Sequence, residues 1–215
     1  MGIANQGVFG GWRKRVGNVV GRIRQGQNVY SIYQPVVANP KTQAQMSHRT
    51  GFSLLSRVFS TMLSFIKVSF AKLDDYERGS AFSAAVGYNL KRNVISGVYP
   101  SQEVDFENLV VSEGSIDLPY NPNADLDSGT LTATYADNTG RGNAEATDEV
   151  MLLLYSEPRN EVAFSTNAAL RSARTASIDV PSAWTASGKI HAYLAMRRPS
   201  TGVCSVSYYL GNYTA

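Results

Sequence analysis

The chain has 215 residues, 43% hydrophobic and 10% aromatic, which is enough for one large or two small packed domains and excludes an intrinsically disordered chain. Its single cysteine, Cys204, excludes an internal disulfide framework and a zinc site built from cysteines. The net charge of +3 conceals an asymmetry, because ten Lys and Arg residues precede the first acidic residue, Asp74. The rest carries ten bases and seventeen acids, so a +10 segment is joined to a −7 segment. Such a block of one sign faces water, counterions or an anionic partner, since burying unpaired cations is costly.

The chain is predicted to have two parts, from the distribution of charge and from the change in residue pattern along it. Residues 1–96 are a basic assembly region of hairpin and helices, and residues 97–215 are a β-domain punctuated by prolines. Residues 1–24 are rich in Gly and Arg and contain no apolar run of signal-peptide length, which disfavours export by that route.

A β-hairpin is predicted over residues 16–37, where Val, Ile and Tyr flank a short glycine-containing turn at residues 25–27. Arg22 and Arg24 stand on either side of Ile23. The period-two geometry of a strand therefore places both guanidinium groups on one face and Ile23 on the other.

A helical region is predicted from Asn39, as the capping residue with Pro40 at the first helical position, to about Leu73. Apolar side chains recur in it at three- and four-residue steps, as in a helix face turned to the core. They are Phe52, Leu55, Phe59, Met62 and Ile66. The opposite arc, termed the packing seam, consists of Arg49, Ser53, Ser56, Ser60, Ser64 and Lys67. It is interpreted either as a solvated serine face or as a helix-to-helix contact in a multi-chain assembly.

A further short helix is predicted over residues 81–94. The longest apolar stretch, residues 52–70, is not expected to cross a membrane. Two cations and five serines interrupt it, and each central charge costs roughly 2.5–3.5 kcal/mol in a spanning helix.

From residue 97 alternation replaces helical spacing, and seven strands are predicted, at residues 108–113, 130–136, 149–155, 161–165, 176–180, 190–197 and 203–210. Seven short strands over about 110 residues are typical of an immunoglobulin-like sandwich. In the strand at 190–197, Ile190 is expected to face inward and His191, Tyr193 and Arg197 outward. The unbroken apolar run at 150–155 predicts a central strand covered on both faces.

The predicted fold class is therefore α+β, with an N-terminal β-hairpin and helices joined to a C-terminal antiparallel immunoglobulin-like β-sandwich.

Signals for catalysis and metal binding are weak. His48 and His191 have no Cys or Ser partner nearby in the sequence, and no phosphate-cradling glycine motif occurs. Residues 121–127 alternate Asn and Asp as a calcium loop does, but Thr132 stands where the closing Glu belongs, which favours a polar hairpin connection. We predict a non-enzymatic protein without metal or cofactor.

The basic segment is the candidate functional site, because its cations are interleaved with aromatic side chains. The predicted contact residues are Trp12, Arg13, Lys14, Arg15, Arg22, Arg24, Tyr30 and Tyr33. If about five cations met phosphates, the log-log salt slope of binding would be on the order of −4. Pairing with acidic side chains of a neighbouring subunit is the alternative, and both interpretations remain open from the sequence.

Short motifs occur along most of the chain, at residues 9–11, 15–21, 39–42, 84–90, 99–100, 137–144 and 209–211. Together they resemble an uncharacterised family of two-part proteins common in Bacteroidota and their mobile elements. That family has no assigned activity, so the resemblance implies no catalytic residue. The stretch Asn39-Pro40-Lys41-Thr42, followed by Gln, Arg and Phe, also resembles segments of phage structural proteins.

These features predict a structural protein, a phage virion or assembly component associated with capsid or tail. Its basic half would contact subunits or nucleic acid, so the expected partners are copies of this chain, other structural subunits, or nucleic acid. The expected location is a virion or the bacterial cytoplasm. The alternative is a cellular nucleic-acid-binding protein in which the sandwich serves as a partner module.

Overall fold

The computed structural model describes residues 3–4, 11–24, 26–36, 38–71, 80–184 and 188–214. The predicted α+β class is confirmed, since helices are combined with antiparallel sheets. The chain divides into two compact units, Met1–Thr42 and Gln43–Ala215. The predicted boundary after residue 96 lies within the second unit, where helices and strands share a core.

The first unit is a four-stranded antiparallel meander in the order β1-β2-β3-β4. Its strands are Ile3–Ala4 (β1), Trp12–Val16 (β2), Val19–Arg24 (β3) and Gln27–Ile32 (β4). The predicted hairpin is confirmed as β3 and β4, which turn through Gly26 at a φ of 78°. Gln25 and Val37, also assigned to that hairpin, lie outside the described residues. β2 was not predicted, because three successive cations give it no alternation.

Three helices open the second unit, Gln43–Thr61 (α1), Leu63–Ser69 (α2) and Ala81–Lys91 (α3). The predicted helix start at Asn39 and Pro40 was wrong, because α1 begins after them and Lys41 has a φ of 51°, outside the right-handed helical region. Thr42 and Gln45 have the spacing of a capping box, which is the start signal that the prediction overlooked.

A 90° bend separates α1 from α2 near Met62, so the predicted helical region is two helices. At the end of α1 the hydroxyls of Ser60 and Thr61 each donate at 2.7 Å to a carbonyl three residues earlier, and such bonds compete with the helical ladder. The predicted end near Leu73 lies outside the described residues. Among the described helices none alone is long and apolar enough to cross a membrane, and α1 with α2 meets that test only as a bent pair.

The strands of the second unit are Ile95–Ser96 (β5), Glu103–Val104 (β6), Tyr120–Asp127 (β7), Thr130–Ala136 (β8), Glu149–Ser156 (β9), Glu161–Leu170 (β10), Thr175–Asp179 (β11), Lys189–Arg197 (β12) and Tyr208–Thr214 (β13). Two larger sheets have the strand orders β10-β9-β12-β13 and β11-β8-β7, and β5 pairs with β6. The two larger sheets pack face to face as a seven-stranded antiparallel sandwich. Its immunoglobulin-like connectivity stays a prediction.

The four-stranded sheet is the middle of three layers. Along β9, Leu152 and Leu154 pack toward the three-stranded sheet, whereas Leu153 and Tyr155 pack toward the helices. The prediction of a central strand covered on both faces is confirmed. The expected outward positions of His191 and Tyr193 were wrong, since they are 5% and 1% exposed. Phe106, in the segment after β6, stacks on the His191 ring and accepts a hydrogen bond from Tyr193 through its carbonyl, and the strand pattern gave no sign of this cover.

Two strand predictions were wrong. Residues 108–113 form no strand, although Leu109, Val110 and Val111 are buried. Side chains supply their hydrogen bonds instead: Asn89 Nδ2 donates to the Val110 carbonyl at 2.8 Å, and Ser69 Oγ donates to the Val111 carbonyl at 2.7 Å. The strand predicted at 203–210 begins later, at Tyr208.

Candidate interaction surfaces

Three arginines of the first unit lie on one face of its sheet. Alternation along β3 puts Arg22 and Arg24 together, and Arg22 Nη2 donates to Ser31 Oγ on β4 at 3.2 Å. Arg15 faces the same way, because it pairs in register with Val20 on β3, and Val20 lies two residues before Arg22. Its guanidinium carbon is 3.6 Å from the centre of the Tyr33 ring, a cation–π contact. These residues are termed the basic face: Arg15, Arg22, Arg24 and Tyr33.

Trp12 and Tyr30 lie on the opposite face of this sheet, with ring centroids 4.6 Å apart. Tyr30 is opposite Gly21 in register. A Cβ at Gly21 would collide with the Trp12 carbonyl, so only glycine at this position lets β2 approach β3 this closely. Ile23 and Ile32, 43% and 80% exposed, share the aromatic face. Cations and aromatic residues that alternate in the sequence are thus mostly separated in space.

Arg13 and Lys14 are exposed on β2, where a φ of 71° at Lys14 interrupts the strand alternation. Residues 1–42 contain six Lys and Arg residues and no Asp or Glu. Their positive charge therefore has no acidic partner within the first unit.

The packing seam is divided by the helix bend. Arg49, Ser53, Ser56 and Ser60 are on α1, whereas Ser64 and Lys67 are on α2. All are exposed except the half-buried Ser56, whose Oγ is enclosed without a hydrogen-bond partner among the described residues. A single straight stripe does not exist, so a partner helix could follow only the α1 part.

The outer face of the three-stranded sheet is acidic, and its strands β7, β8 and β11 contain no Lys or Arg. Asp125 and Asp127 point outward on β7, because Ala124 and Leu126, which alternate with them, pack into the core. Asp127 is opposite Thr130 on β8, and Thr130 is opposite Asp179 on β11, to which its hydroxyl donates at 2.9 Å. These three carboxylates are termed the acidic face: Asp125, Asp127 and Asp179.

The carboxylates of the acidic face are exposed and take part in none of the ion pairs among the described residues. The sequence interpretation of residues 121–127 as a polar hairpin connection was wrong, since they form most of β7. Alternation of Asn and Asp with Pro, Ala and Leu was the available signal for a strand.

A buried ionic cluster, the arginine clamp, joins Asp148, Arg171 and Arg198. Arg171 Nη2 lies 3.1 Å from Asp148 Oδ2, with both side chains 0% exposed, and Arg198 Nε donates to Asp148 Oδ1 at 2.9 Å. Arg171 also donates to Asn138 Oδ1 at 2.5 Å, and Arg198 Nη1 donates to Asn143 Oδ1 at 3.0 Å. The clamp therefore fastens both ends of the exposed loop between these asparagines.

His191 is held among aromatic rings rather than beside a nucleophile. Its ring centroid is 4.3 Å from that of Phe106, Nδ1 is 2.9 Å from the Tyr209 hydroxyl, and Nε2 is 3.5 Å from Glu157 Oε2. Burial lowers the pKa of His191, an effect that Glu157 partly opposes. Burial raises the pKa of Cys204 to about 11, so its thiol is protonated at neutral pH. The described residues contain no group of three or more His, Cys, Asp or Glu that could hold a metal ion.

A cleft of about 280 Å³ lies between α1, β6 and the β9–β10 turn, lined by Arg57, Glu103, Glu157 and Tyr155 among others. Burial raises the pKa of Tyr155 to about 12, and its hydroxyl donates to Asn160 Oδ1 at 2.8 Å. A protonated phenol is a hydrogen-bond donor, not an activated nucleophile. The cleft thus presents charged and hydrogen-bonding side chains.

The model of a family of unknown function, DUF6266, matches residues 10–211. No curated protein and no solved structure matches the chain.

Proposed function

The chain belongs to a family of unknown function, DUF6266, and from its own surfaces we propose that it is a non-enzymatic structural protein, a phage virion or assembly component. In this role it packs with other subunits of a capsid or tail. The basic N-terminal region makes the contacts, either to neighbouring subunits or to nucleic acid.

The observation that carries the proposal is a separate unit that contains cations and no acidic residue. Residues 1–42 have six cations and no acid, and three of the arginines share one face of a small sheet. Among residues 11–24, 26–36 and 38–42, Gly21 alone is buried. A sheet that buries no side chain over these residues is suited to contact another molecule, since small sheets need a packed face for stability.

The second unit supports the proposal as a scaffold. Its middle sheet is covered on both faces, and the arginine clamp fixes an exposed loop at one edge. Rigid sandwiches with fixed loops suit repetitive packing, because contact residues keep their positions from one copy to the next.

Light scattering after size exclusion tests the proposal, on protein treated with nuclease and examined at low and high salt. A structural subunit is expected as a multimer whose absorbance ratio at 260 and 280 nm is that of pure protein. A monomer at every protein concentration and salt condition would refute it.

Nucleic-acid binding by a monomer is the second candidate function. The supporting observation is the stacking of Arg15 on Tyr33 beside Arg22 and Arg24, which puts cations and one aromatic ring on a single face. Binding through phosphates weakens steeply with salt because counterions are released when cations bind.

The matching experiment replaces all three arginines of the basic face by Gln and measures affinity for a single-stranded oligonucleotide across a salt series. Loss of three phosphate contacts is expected to flatten the log-log slope by about 2 on a single strand. The control carries Gln at three exposed cations of the second unit, Lys91, Arg92 and Arg141. Equal slopes in both variants would exclude the basic face from nucleic-acid binding.

A further inference from the structure

We propose that the basic face of one copy of this chain docks on the acidic face of a second copy. The inference rests on the proposed structural function and names its partner as another copy of the same chain.

Unsatisfied charge on both faces is the first argument. On the basic face, Arg22 has a hydroxyl partner on the neighbouring strand and Arg15 has an aromatic ring, but within the described part of the chain neither is paired with a carboxylate. On the acidic face, the hydroxyls of Thr130 and Ser128 donate to Asp179 and Asp127. Guanidinium and carboxylate groups form stronger hydrogen bonds with each other than with neutral partners, because these bonds are charge-assisted and can be bidentate.

Spacing is the second argument. Arg22 and Arg24 are two residues apart on β3, and Asp125 and Asp127 are two residues apart on β7. Alternate residues on a strand are roughly 7 Å apart, so the two rows have the same repeat. The remaining charge of each face lies on another strand of its sheet, Arg15 on β2 and Asp179 on β11.

The surroundings of the acidic face are the third argument. Its other outward residues on β8 and β11 are short and polar, and include Thr132, Thr134, Thr175 and Ser177. Hydroxyl groups can donate to carboxylates and accept from arginines, and they leave the flat surface accessible to long side chains. Because the described strands of this sheet contain no cation, an approaching arginine meets no like charge on them.

Each copy has one basic face and one acidic face for this contact. Repeated in one direction, such contacts generate closed rings or open filaments, and made reciprocally by two copies they form a two-fold dimer. Charge pairing also makes the contact sensitive to salt, because the Debye length falls from about 10 Å at 0.1 M to about 3 Å at 1 M ionic strength.

The test uses two charge-reversal variants of the full chain. The basic-face variant carries Arg22→Glu and Arg24→Glu, and the acidic-face variant carries Asp125→Arg and Asp127→Arg. All four positions are exposed, so both variants are expected to fold, which circular dichroism and thermal melting verify. Matched controls reverse exposed charges elsewhere in the second unit, Lys91→Glu with Arg141→Glu, and Glu103→Arg with Glu107→Arg.

Each variant alone is expected to lose self-association, with a dissociation constant raised roughly a hundredfold or more, because like charges across an interface repel. Mixing the two variants is expected to give a 1:1 complex, because one retains the acidic face and the other retains the basic face. All four changes in one chain are expected to restore multimers. The controls keep the wild-type mass.

Several results would overturn the inference. A wild-type multimer that neither variant disrupts refutes this contact while leaving the structural function standing. Loss of association in the basic-face variant alone, with nucleic acid bound by the wild type, identifies nucleic acid as the occupant of the basic face. A mixture that forms no complex refutes the pairing, and a wild-type monomer under all conditions refutes the structural function itself.

Discussion

Removing the charge of Asp148 is expected to destabilise the second unit more than any exposed charge change. Asp148→Asn keeps the shape of the side chain but removes the carboxylate that compensates Arg171, and both side chains are 0% exposed. The replaced group also accepts from Arg198 Nε at 2.9 Å and from the Glu145 N–H at 2.9 Å. Leaving a buried cation uncompensated costs about 3–5 kcal/mol.

That cost is a large part of the free energy of unfolding of a typical domain, which is about 5–15 kcal/mol. The melting temperature is expected to fall by roughly 10 °C for a unit of this size. Urea and thermal unfolding followed by circular dichroism measure both quantities.

A matched control is Arg159→Gln, which removes the pair with Glu161, where the side chains are 40% and 50% exposed. This exposed pair is expected to contribute less than about 1 kcal/mol. Adding Arg171→Met to Asp148→Asn removes the uncompensated cation, so the double variant is expected to be less destabilised than the sum of the single changes. A loss in Asp148→Asn no larger than in the control would refute the reasoning.

Three further predictions concern buried groups. Burial depresses the pKa of His191 below its ordinary value of 6.5. The contribution of His191 to the free energy of unfolding is therefore complete above about pH 6.5 and is lost as the pH falls through the folded-state pKa. The variant His191→Gln is expected to remove this pH dependence and the exposed control His48→Gln to keep it, so equal pH profiles of the two variants would contradict the assignment. With a pKa of about 11, Cys204 is expected to react with a thiol reagent at pH 8 roughly a hundredfold more slowly in the native protein than in urea, and equal rates would show an accessible thiol. Ser56→Ala removes an enclosed hydroxyl without a partner and is expected to raise the free energy of unfolding by about 0.5–1 kcal/mol in urea titrations, whereas a decrease would reveal a hydrogen bond at that hydroxyl.

Local patterns determined the elements whose geometry depends on neighbours in the sequence. The turn at Gly26, the α+β composition and the doubly covered strand β9 all follow from short-range spacing, because strand and helix periods are properties of a few consecutive residues. The charge asymmetry is also a sequence property, but it placed the basic region at residues 1–96, whereas the first unit ends at Thr42.

Pairing and layering were decided by the tertiary structure alone. The register of β2, β3 and β4 separates Trp12 and Tyr30 from the arginines. Phe106, in the segment after β6, covers His191 on a face that the strand pattern marked as outward. The arginine clamp joins residues as distant in the sequence as Asn138 and Arg198. Such contacts depend on which elements pack together. Packing is driven by burial of apolar surface from residues distant in the sequence, which local spacing does not encode.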